Sequence, residues 1–255
     1  MGGDTAGDFT GQVVFISGAS SGIGLALAAA FRQAGAKVVG TSRDASRLPP
    51  WLSLGLPLDV TDGPGVIAAA AQAERALGRV DILVNNAGVG LFLSWEETSM
   101  VDYQRVMDVN FYGAVRLTQA LLPGMLERRR GAIVNIASVA GERGYAKHTA
   151  YCASKHAMLG WSKGLRKDID GSGVDIVDIC PPAVDTPFFE NAGFADYREK
   201  HPGLSMMSAE QVAAETLASI AARERGRILG GRARALWLLD TLAPSAVDLL
   251  QKLKG

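Results

Sequence analysis

A glycine-rich turn near the N-terminus is the first candidate for binding chemistry. Gly18, Gly22 and Gly24 follow the spacing G-x-x-x-G-x-G, directly after an apolar run and before an Ala-rich stretch. Glycines at such a turn let the backbone reverse sharply and approach a pyrophosphate, whose charge favours a helix N-terminus. A tight strand-to-helix turn also needs glycine without any ligand. The turn follows the first predicted strand and opens the first predicted helix, however, where a dinucleotide fingerprint must lie, so the position favours a dinucleotide site.

Tyr151 and Lys155 form a second candidate, a pair suited to proton transfer. They are four residues apart in a helical pattern, so both side chains share one face of the helix. A free tyrosine has a pKa of about 10, and a nearby ammonium group favours the phenolate and lowers that pKa. We therefore expect the Tyr151 hydroxyl to serve as an acid or base near neutral pH.

Short apolar runs alternate with long helical patterns along the chain. These predicted strands and helices must position the glycine-rich turn and the Tyr151–Lys155 pair. The runs are nearly continuous, which is typical of strands buried on both faces. The strand candidates are residues 13–17, 37–41, 80–84, 132–137 and 174–180, and the helix candidates are 22–34, 63–77, 100–129 and 150–169. This alternation predicts an α/β fold, with a doubly wound parallel sheet and helices on both faces. Because no repeat or linker interrupts it, we expect residues 1–255 to form a single domain.

Two later segments depart from the alternation. Residues 187–208 are mixed and aromatic, and an irregular segment of this length predicts a functional lid or a disordered loop. At its end, Ser208 and Gln211 have the spacing of a capping box, which predicts the start of a helix. Residues 232–253 return to a helical pattern with an apolar stripe that includes Trp237. This tail must be buried, either over a substrate pocket or against a second subunit.

Composition excludes several classes of protein. The chain has 26 Lys and Arg against 26 Asp and Glu, whereas a nucleic-acid binder needs a basic face. No apolar run approaches the roughly 18 residues of a membrane helix, and the polar first ten residues do not resemble a secretory signal. Two cysteines, Cys152 and Cys180, cannot build a disulfide framework, and the three histidines lack metal-ligand spacing. We expect a cytoplasmic protein with no metal, no nucleic-acid partner and no membrane span.

Further motifs make residues 11–230 resemble the short-chain dehydrogenase/reductase family. The glycine turn has that family's spacing, and Tyr151 to Lys155 match its Tyr-x-x-x-Lys signature. The other matching positions are Asp59-Val60 at the end of a short third strand, Asn85-Asn86-Ala87-Gly88 at the end of the fourth, Asn110 in a long helix and Ser138 after the fifth strand. The resemblance implies a Rossmann-type fold, a nicotinamide dinucleotide cofactor, and the interconversion of a carbonyl and a secondary alcohol.

The resemblance also implies a role for four catalytic residues, Asn110, Ser138, Tyr151 and Lys155. The cofactor supplies the hydride, so the protein must supply the proton, which is the role of Tyr151. Ser138 would donate a hydrogen bond to the substrate oxygen as it becomes alkoxide-like. Lys155 would also bind the nicotinamide ribose. Asn110 would hold a water beside Lys155; the alternative is that it kinks a long helix.

The implied cofactor contacts include the position that selects between NAD and NADP. Ser42 stands where NAD-dependent members have an acidic residue, and Arg43 follows it; both donors suit a 2′-phosphate, so we expect NADP(H) over NAD(H). The alternative is that Arg43 is a solvated turn residue and Asp44 caps the next segment. Pro182 replaces the family's usual glycine, which alters the local backbone path. The full set is Gly18, Ser20, Ser21, Gly22, Ile23, Gly24, Ser42, Arg43, Asp59, Val60, Asn86, Ala87, Gly88, Tyr151, Lys155, Pro181, Val184 and Thr186.

The substrate pocket is predicted from positions after the motifs and in the lid, and it is mostly apolar. It consists of Leu91, Phe92, Val139, Tyr145, Phe188, Phe189, Met206 and Met207. We therefore expect a hydrophobic or aromatic carbonyl substrate and not a sugar or a carboxylate. Open alternatives are a 3-oxoacyl-thioester (acyl-carrier-protein) reductase, a non-catalytic dinucleotide-binding regulator, and a dehydrogenase working in the oxidative direction. The helices 100–129 and 150–169 resemble the family's interface helices, so we expect a homotetramer or homodimer.

Overall fold

The computed structural model describes residues 7–189 and 206–243, which contain a seven-stranded parallel sheet. The strand order is β3-β2-β1-β4-β5-β6-β7. After β3 the chain returns to the other side of β1, so the carboxyl ends of β1 and β4 flank the crevice where such sheets bind ligands. This confirms the predicted doubly wound sheet. The strands are β1 (Val13–Ile16), β2 (Lys37–Ser42), β3 (Leu54–Pro57), β4 (Ile82–Asn85), β5 (Gly131–Ile136), β6 (Val174–Cys180) and β7 (Gly226–Ile228).

Helices cover both faces of the sheet because successive side chains of each buried strand point to opposite sides. Val14 and Ile16 of β1 pack in one core with α1 and α6. Val13 and Phe15 pack in a second core with α2 and α4. The helices are α1 (Gly22–Gln33), α2 (Gly63–Leu77), α3 (Met100–Met107), α4 (Gly113–Glu127), α5 (Thr149–Asp168), α6 (Ala209–Ala221) and α7 (Gly231–Leu242).

The helix predicted over residues 100–129 is interrupted, which corrects the sequence prediction. A π-helical turn, Asp108–Tyr112, separates α3 from α4. Gly113 follows this turn, and a Cβ atom there would lie 2.7 Å from a methyl carbon of Val60. The π-turn brings Asn110 inward, where the side chain is fully buried. Such single π-helical turns occur inside α-helices, often at functional sites.

The two irregular segments are described in part. Residues 190–205 of the predicted lid and 244–253 of the predicted tail lie outside the described residues. Met207, near the end of the predicted lid, forms an isolated parallel bridge with Val184, which lies three residues before its start. Ser208 and Gln211 form the predicted capping box at the start of α6. Across 7–189 and 206–243, no helix has the length and apolarity needed to cross a membrane.

Candidate active site

The glycine turn between β1 and α1 has the geometry of a cradle for phosphate groups. Gly18 and Gly22 adopt φ angles of +71° and +54°, which favour glycine. Gly24 is required for a different reason, since a Cβ atom there would lie 2.1 Å from the Gly18 carbonyl oxygen. Ser21 begins α1 without a side-chain capping bond, so the cap does not occupy the first-turn amides. These features fit a pyrophosphate at the helix N-terminus.

Asn86 ties this turn to the end of β4. Its Nδ2 donates to the carbonyl oxygens of Ser17 at 2.9 Å and Gly18 at 3.0 Å. The Ser17 hydroxyl oxygen in turn accepts from the amides of Asn86 and Ala87, both at 3.0 Å. The side chain of Asn86 therefore positions the glycine turn. Gly88 lies further along the same loop, where a Cβ atom would approach Asn110 Oδ1 at 3.3 Å.

The end of β2 lies beside the same turn, as the predicted cofactor contacts require. The Ser42 hydroxyl donates to the Ser20 hydroxyl at 3.2 Å. Arg43 is exposed at this edge. Its positive charge contributes to the lowered pKa of Asp59, although the hydrogen bond from the Thr61 amide contributes more.

The neighbouring Asp44 has the capping role that the alternative interpretation gave it. Its carboxylate accepts a hydrogen bond from the Ser46 amide at 3.0 Å and begins the short 3-10 helix Ala45–Arg47. This bond, together with that from the Ser46 hydroxyl, lowers the pKa of Asp44. The Asp44 carboxylate therefore accepts hydrogen bonds from Ser46 within the same turn.

The opposite wall of the crevice comes from the loop after β6. Thr186 lies against the glycine turn, since a Cβ atom on Gly22 would be 3.2 Å from its side chain. The Pro181 carbonyl accepts the Val139 amide at 3.1 Å, which joins this loop to the residue after Ser138. Of these predicted contacts, Thr186 faces the glycine turn, while Pro181 joins the loop to the residue after Ser138.

Ser138, Tyr151 and Lys155 meet at the carboxyl end of the sheet. Ser138 follows β5, and its hydroxyl lies near enough to the Tyr151 phenol to oppose the rise in the Tyr151 pKa. The Lys155 ammonium donates to the Ile136 carbonyl at 2.7 Å and lies 5.8 Å from the centre of the Tyr151 ring. The structure thus brings together three of the four predicted catalytic side chains.

Burial changes the pKa values of both Tyr151 and Lys155 on α5. It raises the pKa of Tyr151 to about 12, with the Ser138 hydrogen bond acting in the opposite, smaller direction. It also lowers the pKa of Lys155 to about 8. The predicted lowering of the Tyr151 pKa by the nearby ammonium is not found, because desolvation of the phenolate is the largest effect on this group. Tyr151 holds its proton at neutral pH and can act as a general acid.

The fourth predicted residue, Asn110, links two elements. Its Nδ2 donates to the Val89 carbonyl and to the Ser154 hydroxyl, each at 3.0 Å, and its Oδ1 accepts the Val89 amide at 2.7 Å. Ser154 in turn donates to the Tyr151 carbonyl at 2.7 Å. The Asn110 side chain therefore joins the loop after β4 to α5, within the kink that the alternative interpretation described. Its role in holding a water remains a prediction.

An aromatic cluster surrounds the Tyr151 ring. Phe92 lies 6.1 Å and Phe188 5.8 Å from it, between ring centres. Phe189 stacks on Phe92 at 5.7 Å. Three predicted pocket residues thus assemble beside the candidate proton donor. Among the other predicted pocket residues, Met207 packs against the core that contains β1 and α1, while Leu91, Val139 and Met206 are half-buried.

His148 belongs to the same cluster, although its spacing to the other histidines gave no indication of this. Its ring lies 4.5 Å from Phe92 and 6.0 Å from Tyr145. The imidazole Nδ1 is 2.5 Å from the Ala146 carbonyl, and burial lowers the pKa of the ring. The useful sequence signal was its position three residues before Tyr151, at the start of α5.

Comparison with known proteins gives a consistent result. The family model described as short chain dehydrogenase matches residues 12–195. The chain is 36% identical over 181 residues to a protein of Nostoc named ketoacyl reductase HetN, covering 68% of this chain and 63% of that protein. It is 34% identical over 253 residues to the bovine protein named dehydrogenase/reductase SDR family member 7B, covering 91% of this chain and 78% of that one.

A solved structure extends the likeness to the whole fold. A short chain dehydrogenase/reductase from Burkholderia phymatum, in complex with NAD, superposes with a TM-score of 0.85 at 29% identity. The comparison covers 92% of this chain and 94% of that one. The shared architecture therefore includes the sheet edge at which the glycine turn and Tyr151 lie.

Proposed function

Because the chain belongs to the short-chain dehydrogenase/reductase family, we propose that it interconverts a carbonyl and an alcohol on a hydrophobic small molecule, with NADP(H) as cofactor. The meeting of Ser138, Tyr151 and Lys155 beside an aromatic cluster carries the proposal. The intact set of catalytic side chains argues against a non-catalytic regulator.

A bound nicotinamide supplies or accepts the hydride. The residues of the chain bind and orient this cofactor and transfer the proton. The glycine turn and the N-terminus of α1 hold the pyrophosphate, and Thr186 flanks them. Tyr151 donates its proton to the substrate oxygen during reduction, and Ser138 donates a hydrogen bond to that oxygen. Lys155 orients the nicotinamide ribose, and its ammonium group places a positive charge near the Tyr151 ring. The same groups serve oxidation in reverse.

A panel of ketones and alcohols, followed by the absorbance of the cofactor, tests this function. We expect apolar aryl or alkyl ketones to be reduced, because Phe92, Phe188 and Phe189 present ring surfaces next to Tyr151. Small hydrophilic sugars should be much poorer substrates. If the sugars react far faster than the apolar ketones, the proposed substrate class is wrong.

A second candidate is a 3-oxoacyl-thioester reductase. The observation in its favour is the printed name of the Nostoc relative, ketoacyl reductase. The same panel separates the two functions when it includes a 3-oxoacyl thioester and a free apolar ketone of equal chain length. A strong preference for the thioester would support this second candidate.

The cofactor preference makes a separate prediction. Ser42 and Arg43 offer a hydroxyl and a guanidinium next to Ser20 of the glycine turn, and a charged hydrogen bond is worth roughly 1.5–3 kcal/mol. NADPH should therefore be preferred over NADH by about 10- to 100-fold in kcat/KM. Arg43→Ala should remove most of that preference, and Ser42→Asp should invert it by adding repulsion.

Steady-state kinetics with both cofactors measure this preference. Arg47→Ala is a matched control, since it removes an exposed arginine in the same segment without touching the end of β2. A wild-type enzyme that favours NADH would contradict the prediction.

The chain should also assemble into a homodimer or homotetramer. Met100 and Val101 at the start of α3 are 70% and 71% exposed, and Tyr112 of the π-turn is 48% exposed. These exposed apolar side chains of α3 and the π-turn support a contact between copies. Light scattering at micromolar concentration should show a species of at least twice 26.8 kDa. A 26.8 kDa species alone would refute assembly.

A further inference from the structure

Helix α7 contacts the two loops that follow β6 and β5 at the candidate site. At its start, Gly230 lies against Pro182, with 3.7 Å between an added Cβ atom and the proline ring. In its middle, the Trp237 indole donates to the Glu142 carboxylate at 3.2 Å. The helix therefore runs from the loop after β6 to the loop between β5 and α5.

The loop that α7 contacts begins at the catalytic serine and is held in a fixed shape. The Gly141 amide donates to the Ser138 carbonyl at 2.9 Å, and the Arg143 amide donates to the Val139 carbonyl at 3.2 Å. Gly141 packs against α5 so closely that an added Cβ atom would lie 2.8 Å from the Lys155 carbonyl oxygen. Arg143 is thus held at a constant position relative to Ser138.

Arg143 is the unusual residue in this loop. Its exposure is 8%, and its Nε and Nη1 have no hydrogen-bond acceptor within residues 7–189 and 206–243. Its Nη2 lies 4.0 Å from the Asp240 carboxylate of α7, at the outer limit of an ion pair. A buried charge with unfilled donors is unfavourable, and an acceptor brought by a ligand would remove that cost.

A continuous row of rings connects Arg143 to the proton donor. The guanidinium carbon lies 5.2 Å from the centre of the Tyr145 ring. Tyr145 is followed by His148 at 6.0 Å, then Phe92 at 4.5 Å, and finally Tyr151 at 6.1 Å, each distance joining ring centres. A molecule lying along these rings would have its carbonyl at Tyr151 and its far end at Arg143.

We propose that Arg143 binds an anionic group, such as a carboxylate, at the end of the substrate remote from the reacting carbonyl. This inference rests on the proposed function and narrows its substrate class to apolar ketones or alcohols with a distant negative charge, whereas the sequence prediction did not expect a carboxylate. Guanidinium donors match the geometry of a carboxylate. In the absence of such a group, Asp240 is the nearest carboxylate, so it competes with the substrate for the same cation.

The test uses aryl methyl ketones with a terminal carboxylate on linkers of increasing length, together with the methyl ester of each. The measured quantity is the ratio of kcat/KM for the acid to kcat/KM for its ester, which cancels effects common to both. At the matching linker length, the wild-type ratio should be about 10 to 100, the range expected for a charged hydrogen bond. Arg143→Met should bring the ratio near 1, while Arg143→Lys should keep part of it.

Asp240→Asn separates an anion site from a purely structural ion pair. If Asp240 competes with the substrate, its neutralisation should raise the acid-to-ester ratio severalfold. If Arg143 serves only to hold α7, Asp240→Asn should leave the ratio unchanged and lower the melting temperature, and the inference is then wrong.

The outcome also distinguishes this inference from the proposed function. Reduction of the esters without preference for any acid overturns the anion site and leaves the proposed function standing. If neither acids nor esters are reduced, the proposed function fails, and the inference fails with it. An acid preference that Arg143→Met and Arg143→Lys both retain would also overturn the assignment to Arg143.

Discussion

Tyr151→Phe should lower turnover by about 10²- to 10⁴-fold, the usual contribution of general acid catalysis. The variant keeps the ring, and with it the contacts to Phe92 and Phe188 at 6.1 and 5.8 Å, but it lacks the hydroxyl that carries the proton. Cofactor affinity should stay close to that of the wild type. Steady-state turnover and a titration with reduced cofactor, followed by its fluorescence, measure the two quantities separately.

Lys155→Met is the informative comparison for this prediction. Lys155 is buried on the same face of α5 and, in the proposed mechanism, orients the nicotinamide ribose. Its loss should reduce both turnover and cofactor affinity, unlike the loss of the Tyr151 hydroxyl. A Tyr151→Phe enzyme that keeps more than roughly a tenth of wild-type turnover would contradict the assignment of Tyr151 as the proton donor.

Gly24→Ala should lower kcat/KM by about 100-fold, through displacement of the glycine turn. The added Cβ atom would lie 2.1 Å from the Gly18 carbonyl oxygen and 2.5 Å from Asn86 Nδ2, so the backbone itself must shift. Overpacking of this kind typically costs about 1–3 kcal/mol of stability. Thermal unfolding and cofactor titration should therefore both show the damage.

Gly63→Ala provides the matched control, because a Cβ atom at that first-turn position of α2 has no neighbour within 4 Å. This variant should have a melting temperature equal to or slightly above that of the wild type, and unchanged cofactor affinity. If Gly24→Ala behaves like Gly63→Ala, the close approach at the turn is not needed for cofactor binding.

The sequence predicted the sheet well because its strands are buried on both faces. Residues 37–41 and 174–180 are nearly continuous apolar runs, and the structure places strands there within one residue. β7 was not predicted, because its three residues, Gly-Arg-Ile, are too few to show the apolar pattern of a buried strand. The π-turn at Asn110 was also not predicted, since it depends on side-chain bonds to Val89 and Ser154 that join distant parts of the chain.

The candidate site was predictable where chemistry depends on local spacing. Tyr151 and Lys155 lie one helical turn apart, and the glycines of the turn lie within seven residues, so both motifs could be found without tertiary information. The pKa of Tyr151 could not be predicted from the sequence, because the packing of Phe92 and Phe188 around its ring depends on the tertiary structure. The same holds for His148 and Arg143, whose positions depend on how the loop between β5 and α5 folds.

The hydrogen bonds from Asn86 to the glycine turn bear on the thermodynamics of cofactor binding. Ordering one residue of a flexible loop costs about 1–2 kcal/mol of conformational entropy. Because Asn86 holds the carbonyls of Ser17 and Gly18 at 2.9 and 3.0 Å within the protein itself, that ordering accompanies folding and not association. The turn is a preorganised receptor, and its contacts with a dinucleotide can appear almost entirely as affinity.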